Sequence, residues 1–173
     1  MNSTRWARLL VAVFAVLVVH DAVLRGVRFD GVRPDLLLGL AVVAALVAGP
    51  DRGAVVGFLA GLVADLFVST PFGLSALVWC LLAYAVGSLQ TTILPQGRLS
   101  IPVATLVATA SGEVVYAMLA TVVGLRDLLT VHLLAIAVVV GLCNSLLSPL
   151  FARLVRWALI ANPAAIARRS FAP

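Results

Sequence analysis

Long apolar runs, separated by short polar turns, follow one another along most of the chain. Only 11% of the 173 residues are charged and 63% are hydrophobic, whereas a soluble domain carries about 25% charged residues. So little charge cannot cover a globule of this size, and we therefore expect a bilayer to be the solvent of the fold. Because a spanning helix needs about 20 largely apolar residues, the length predicts a single integral membrane domain of about six transmembrane helices.

The polar breaks divide the chain into six predicted spans. These lie at about residues 7–24, 35–49, 53–68, 72–89, 101–125 and 131–152. The runs are too long and too continuous for barrel strands of about 10 alternating residues, so the predicted fold class is all-α. Spans two and three are short for a full crossing, which leaves a re-entrant hairpin as an alternative. We expect a tight turn at PDRG (50–53) and a late break of span six at Pro149.

Arginine supplies all twelve basic residues of a chain whose net charge is +5. The arginines are dispersed through turns and tails, which does not favour nucleic-acid binding. Placing the amino terminus in the cytoplasm puts most of them inside, as the positive-inside rule requires. The sequence therefore predicts that both termini are cytoplasmic and that residues 153–173 form a basic tail.

One face of the predicted third span carries a row of glycines and a carboxylate. In the run GAVVGFLAGLVAD (53–65), Gly53, Gly57, Gly61 and Asp65 recur every fourth residue and so share one side of a helix. Glycines there let another helix approach closely, which is how helices associate in lipid. We therefore predict that this row is a packing face, either within the bundle or for a helix of a partner.

Asp65 ends the row close to a turn. A carboxylate facing lipid is costly, so we expect Asp65 to bond a partner helix, cap the next turn, line a cavity, or touch water at the outer end of the span. The turn that follows contains Pro71 and Gly73. Because proline fixes φ and glycine frees it, we expect this turn to define the end of the helix.

Glu113 lies near the middle of predicted span five. An unpaired carboxylate at the bilayer centre is unfavourable, so we expect it to be protonated, to serve a proton-coupled carrier, or to bond Asn144, Tyr116 or His132. Sharing a water-filled face with Asp65 is a further alternative.

A polar stripe in span six consists of Asn144, Ser145 and Ser148, beside Pro149. Its simplest interpretation is helix packing, in which serine bonds the backbone groups that proline leaves free.

The sequence offers no support for catalysis or a metal. His20 and His132 fall at predicted outer ends of spans, where we expect interfacial positions, and two isolated histidines do not make a metal site. No serine lies in a G-x-S-x-G turn, and no lysine follows a phosphate-binding loop. We therefore expect no enzyme activity and no cofactor.

Residues 34–89 resemble the family of the rod shape-determining protein MreD. The matching features, in order, are Pro34-Asp35, Arg52-Gly53, Gly57, Gly61-Leu62, Asp65, Gly73-Leu74, Ala76-Leu77, Tyr84 and Gly87.

The resemblance implies a six-helix fold similar to the substrate-binding components of vitamin uptake transporters. It also implies a non-catalytic scaffold in the cytoplasmic membrane of a bacterium, within the machinery of cell elongation and lateral peptidoglycan synthesis. The implied partners are MreC, the RodA glycosyltransferase with its transpeptidase, and, indirectly, MreB filaments, in addition to membrane lipid. A vitamin-type binding subunit or carrier with the same fold is the alternative function.

Overall fold

The computed structural model describes residues 3–24, 35–66, 73–93, 99–124 and 131–160. Within these residues the chain forms six α-helices and a closing turn of π-helix. They are α1 (Ser3–Leu24), α2 (Leu36–Ala48), α3 (Pro50–Asp65), α4 (Leu74–Ile93), α5 (Ser100–Val122), α6 (Val131–Val155) and the π-helix (Arg156–Ile160). The described residues contain no strand, which confirms the all-α prediction.

Two helical segments are long and apolar enough to cross a membrane, Ser100–Val122 and Leu133–Leu159. Shorter apolar segments lie within α1, α2 and α4. Length and composition therefore identify two full-length candidate spans among the described residues. The crossing of the other four helices stays a prediction.

The boundary between α2 and α3 differs from the prediction. The segment PDRG is the first turn of α3, not a loop, and Pro50 occupies a position where its missing N–H is not needed. Gly49 alone joins the two helices, with a φ of +93° that favours glycine. Together α2 and α3 form a helical hairpin with a joint of a single residue.

The predicted break at Pro149 is also wrong. The helix continues past the proline and leads into the π-helix Arg156–Ile160. Proline cannot bond the carbonyl four residues earlier, and this carbonyl, of Ser145, accepts a hydrogen bond of 2.7 Å from Ser148 Oγ. The helical part of the chain therefore extends past residue 153, the predicted start of the basic tail, and the part that follows the π-helix lies outside the described residues.

Helix α2 lies at the centre of the described bundle. Every residue from Leu36 to Leu46 is buried, and the helix contacts all five other α-helices and the π-helix. A helix that is hydrophobic all round needs such an enclosure. Its 13 residues span about 20 Å, less than the hydrocarbon thickness of about 30 Å. We conclude that α2 is a core helix surrounded by its own chain.

Helices α3 and α4 form an antiparallel pair whose backbones nearly touch. A Cβ atom added at Gly57 would lie 2.5 Å from the carbonyl oxygen of Trp79, and one at Gly61 would lie 2.5 Å from the α4 backbone. At the opposite end, a Cβ at Gly87 of α4 would lie 2.6 Å from Cα of Pro50. Glycines on both helices therefore permit this contact.

This contact predicts a strong size limit at Gly57. Gly57→Leu should destabilise the fold by at least the ~1–3 kcal/mol typical of overpacking, because the opposing atoms belong to a backbone that cannot rotate away. Phe58→Leu is the matched control, since Phe58 is the next residue and is 47% exposed. The measurement is thermal unfolding of the purified proteins in detergent, and equal melting temperatures for both variants and the wild type would contradict the packing described.

Candidate functional site

Asp35 caps the amino-terminal end of α2. Its Oδ1 atom accepts hydrogen bonds from the backbone N–H groups of Leu37, at 3.1 Å, and Leu38, at 3.4 Å. The first N–H groups of a helix have no partner within the helix, and aspartate is a preferred residue for this position. The carboxylate therefore satisfies two donors at a helix end whose first residues are buried.

Asn144 of α6 holds the same helix end from the other side. Its Nδ2 atom donates to the backbone oxygen of Asp35 at 2.9 Å, and the residue is fully buried. Asn144 lies near the middle of α6, so α2 begins at about that depth in the bundle. The hydrogen bond therefore joins the backbone at the start of α2 to the middle of α6.

Gly39 makes room for the Asn144 side chain. A Cβ at Gly39 would collide with the amide of Asn144 and lie 3.0 Å from Cε2 of Phe151. This glycine is not among the residues predicted from the sequence, because a single glycine in an apolar run forms no motif. The available signal is its spacing of four from Asp35, which places both residues on one side of α2.

Two titratable side chains from other helices complete this region. His20 of α1 and Glu113 of α5 both interact electrostatically with Asp35. We call His20, Asp35, Glu113 and Asn144 the α2 cap cluster. Two of its buried atoms, His20 Nδ1 and Asn144 Oδ1, have no hydrogen-bond partner within the described part of the chain.

The cluster corrects several predicted pairings. Asn144 is one of three predicted partners of Glu113, but its Nδ2 atom donates to the Asp35 backbone and its Oδ1 atom has no hydrogen-bond partner among the described residues. The carboxylate that interacts with Glu113 is that of Asp35 rather than Asp65. His20 has a buried ring nitrogen beside α2 and is not simply interfacial, whereas the side chain of His132 lies outside the described residues.

Asp65 caps α4 across the turn that follows α3. Its Oδ2 atom accepts from the N–H groups of Gly73, at 2.8 Å, and Ala76, at 3.4 Å, while Oδ1 accepts from Ser75 at 3.3 Å. The residue is only 4% exposed, so it does not end the helix in water. Gly73 has a φ of +100°, which favours glycine at this point, and Pro71 lies outside the described residues.

The glycine row of α3 packs inside the bundle. A Cβ at Gly53 would collide with Ala45 of α2, and Gly57 and Gly61 face the α4 backbone. All three glycines are buried. The alternative prediction, that this face binds a helix of a partner, is therefore wrong, because α2 and α4 already cover the face.

Two side chains of the polar stripe of α6 make separate hydrogen bonds. Asn144 bonds the start of α2, and Ser148 bonds the Ser145 carbonyl beside Pro149. Among the described residues, no group of three or more His, Cys, Asp or Glu side chains is arranged to hold a metal ion. What this arrangement supplies is donors and acceptors for a helix end at membrane depth.

The capping role of Asp65 predicts a specific loss of stability. Asp65→Ala should cost about 1–2 kcal/mol, as other lost N-caps do, because three backbone N–H groups of one turn lose their acceptor. Asp65→Asn retains one acceptor oxygen and should cost less. The control is Asp51→Ala, which removes an exposed carboxylate in the first turn of α3. Unfolding by titration with sodium dodecyl sulfate measures all three, and an equal loss at Asp51 and Asp65 would contradict the role.

The contact between Gly39 and Asn144 predicts energetic coupling. Gly39→Ala and Asn144→Ala should each destabilise the protein, the first by steric conflict and the second by leaving the Asp35 carbonyl without its donor. In the double variant the truncated side chain no longer meets the added methyl group, so the combined loss should be smaller than the sum by about 1 kcal/mol. Strict additivity in the same titration would show that the two sites are independent.

In a comparison with protein families, residues 3–164 match the model described as MreD, rod shape-determining protein MreD. No curated protein and no solved structure matches the chain. The matched region contains all six helices, the α2 cap cluster and the Asp65 cap. MreD is a shape-determining structural family rather than a known enzyme family. Since the match covers nearly the whole chain and two helical segments can cross a membrane, the protein belongs to the MreD family of rod shape-determining membrane proteins.

Proposed function

We propose that this protein is a non-catalytic membrane scaffold of the bacterial cell-elongation machinery that binds MreC and supports lateral peptidoglycan synthesis. The observation that carries this proposal is the family match over residues 3–164. The described residues support it because all of them belong to helices or to the turns that flank them. Such a protein acts within the bilayer and through the segments that connect its helices.

The proposed location is the cytoplasmic membrane, with several crossings and both termini in the cytoplasm. The guanidinium of Arg8 lies 5.6 Å from the ring centre of Trp157. This contact brings the first turns of α1 and the π-helix to the same end of the bundle, as expected when both termini are on one side. Arginines at this end then agree with the positive-inside rule.

The proposed contact with MreC uses the outer surface of the bundle. The α3 glycine row is covered, so a membrane helix of MreC has to pack on side chains that face lipid. Outward-facing apolar residues are plentiful on α6, where Leu134, Leu142 and Leu146 are more than half exposed. RodA and its transpeptidase join through MreC, and MreB lies on the cytoplasmic side.

A vitamin-type binding subunit is the weaker alternative. The unpartnered atoms of the α2 cap cluster favour it, since they can hydrogen-bond a polar group. However, the groove between α1 and α6 has an almost entirely apolar lining with Arg153 as its charged residue. A carrier for a polar vitamin needs several convergent polar groups. The predicted likeness to vitamin uptake transporters remains part of this alternative.

The test is co-purification from mild detergent. A tagged copy, co-expressed with the MreC-like protein of the same bacterium, should retain it, whereas an unrelated membrane protein with the same tag should not. Phe58→Leu serves as a folded control and should retain it as well. Failure of a monodisperse, folded bait to retain the MreC-like protein would refute the scaffold role. Transport or turnover by the protein alone in liposomes would favour the alternative.

A further inference from the structure

A groove of about 340 Å³ lies between α1, the start of α2 and α6. The residues that line it include Val19 of α1, Leu36 of α2, and Leu147, Phe151 and Arg153 of α6. Its volume falls within the range of about 300–1,000 Å³ that is usual for small-molecule sites. Apart from Arg153, every lining side chain is apolar.

The groove opens to the outer surface of the bundle. Val19 of α1 and Leu150 of α6 both line it, and they are 51% and 58% exposed. In a membrane protein this outer surface faces lipid. The groove is therefore accessible from within the bilayer.

Arg153 lies toward the end of the bundle that contains the first turns of α1 and the π-helix. Helices α1 and α6 run in opposite directions, because Arg8 lies over Trp157 while Val19 and Leu147 line the same groove. Arg153 is thus on the side of Trp157, which is 46% exposed. Tryptophan and arginine are typical of the boundary between hydrocarbon and head groups on the cytoplasmic side.

We propose that this groove binds one acyl chain of an anionic phospholipid and that Arg153 binds the phosphate of its head group. Along α6, from Leu147 to Arg153, the apolar part extends for about 9 Å before the positive charge begins. A phospholipid matches this arrangement, because its apolar acyl chain is joined to an anionic phosphodiester. The guanidinium group matches phosphate oxygens in both charge and geometry.

A net negative lipid fits better than a zwitterionic one. Arg156 follows one turn after Arg153 and is exposed, which adds positive potential near the head group. Basic pockets between membrane helices on the cytoplasmic side are typical sites for anionic head groups. A free phosphate ion would satisfy Arg153 but leave the apolar groove unfilled. A helix of a partner protein would fill the groove without needing the arginine.

The test is a lipid titration followed by native mass spectrometry. The full chain, purified in non-ionic detergent, is mixed with phosphatidylglycerol or phosphatidylcholine of identical acyl chains. The wild type should bind phosphatidylglycerol more tightly. Arg153→Gln should weaken this binding about fivefold, as expected for one arginine near anionic lipid, and should weaken phosphatidylcholine binding less, because the choline cation offsets the charge of its phosphate. Leu150→Trp, which fills the groove from its exposed side, should weaken binding of both lipids.

Arg156→Gln is the matched control, and it should weaken phosphatidylglycerol binding less than Arg153→Gln does, because Arg156 does not line the groove. Thermal unfolding establishes that each variant is folded, and Val19→Trp replaces Leu150→Trp if the latter is not. Equal losses at Arg153 and Arg156 would overturn the proposal in favour of diffuse surface charge. If inorganic phosphate displaced all bound phosphatidylglycerol, the head group alone would account for binding, and the proposed acyl-chain site would be wrong. Unchanged lipid binding with a tryptophan in the groove would show that the groove holds a partner helix or nothing.

Discussion

The fold depends on the hydrogen bonds that the backbone groups at the start of α2 make inside the bundle. This helix is shorter than the bilayer is thick and is buried along nearly its whole length, so water cannot bond its first N–H groups. Asp35 accepts from two of them, and Asn144 bonds the carbonyl of the capping residue itself. Polar residues at this depth are therefore required by the backbone, and their presence does not by itself indicate transport.

The close approach of α3 and α4 completes the enclosure of α2. The glycine row brings α3 against both neighbours, and Asp65 ties its end to the first turn of α4. The feature most suggestive of a docking surface is thus used within the chain. Partner proteins and lipids therefore contact the outer faces of the bundle, which carry large apolar side chains and the groove beside Arg153.

Local patterns predicted much of this architecture, and long-range contacts account for what they missed. Apolar runs give the helical class, and Asp65 lies near enough in sequence to α4 for a cap to be foreseen. Pro50 and Pro149 misled because proline also begins helices, and because a neighbouring serine can bond the carbonyl that proline leaves free. The α2 cap cluster could not be foreseen, since Asn144 and Asp35 are 109 residues apart and periodicity within one helix does not reveal its neighbours.

The hydrogen bond between Asn144 and Asp35 also limits how early the bundle can be completed during synthesis. The hairpin of α2 and α3 leaves the ribosome well before α6 is synthesised, and until then the Asp35 carbonyl lacks its donor. Because contacts between distant segments form only after the intervening chain is made and its loops are closed, the nascent protein completes its centre last. Synthesis of α6 therefore supplies the last of these hydrogen-bond partners at the start of α2, and a chain that ends before α6 lacks this bond.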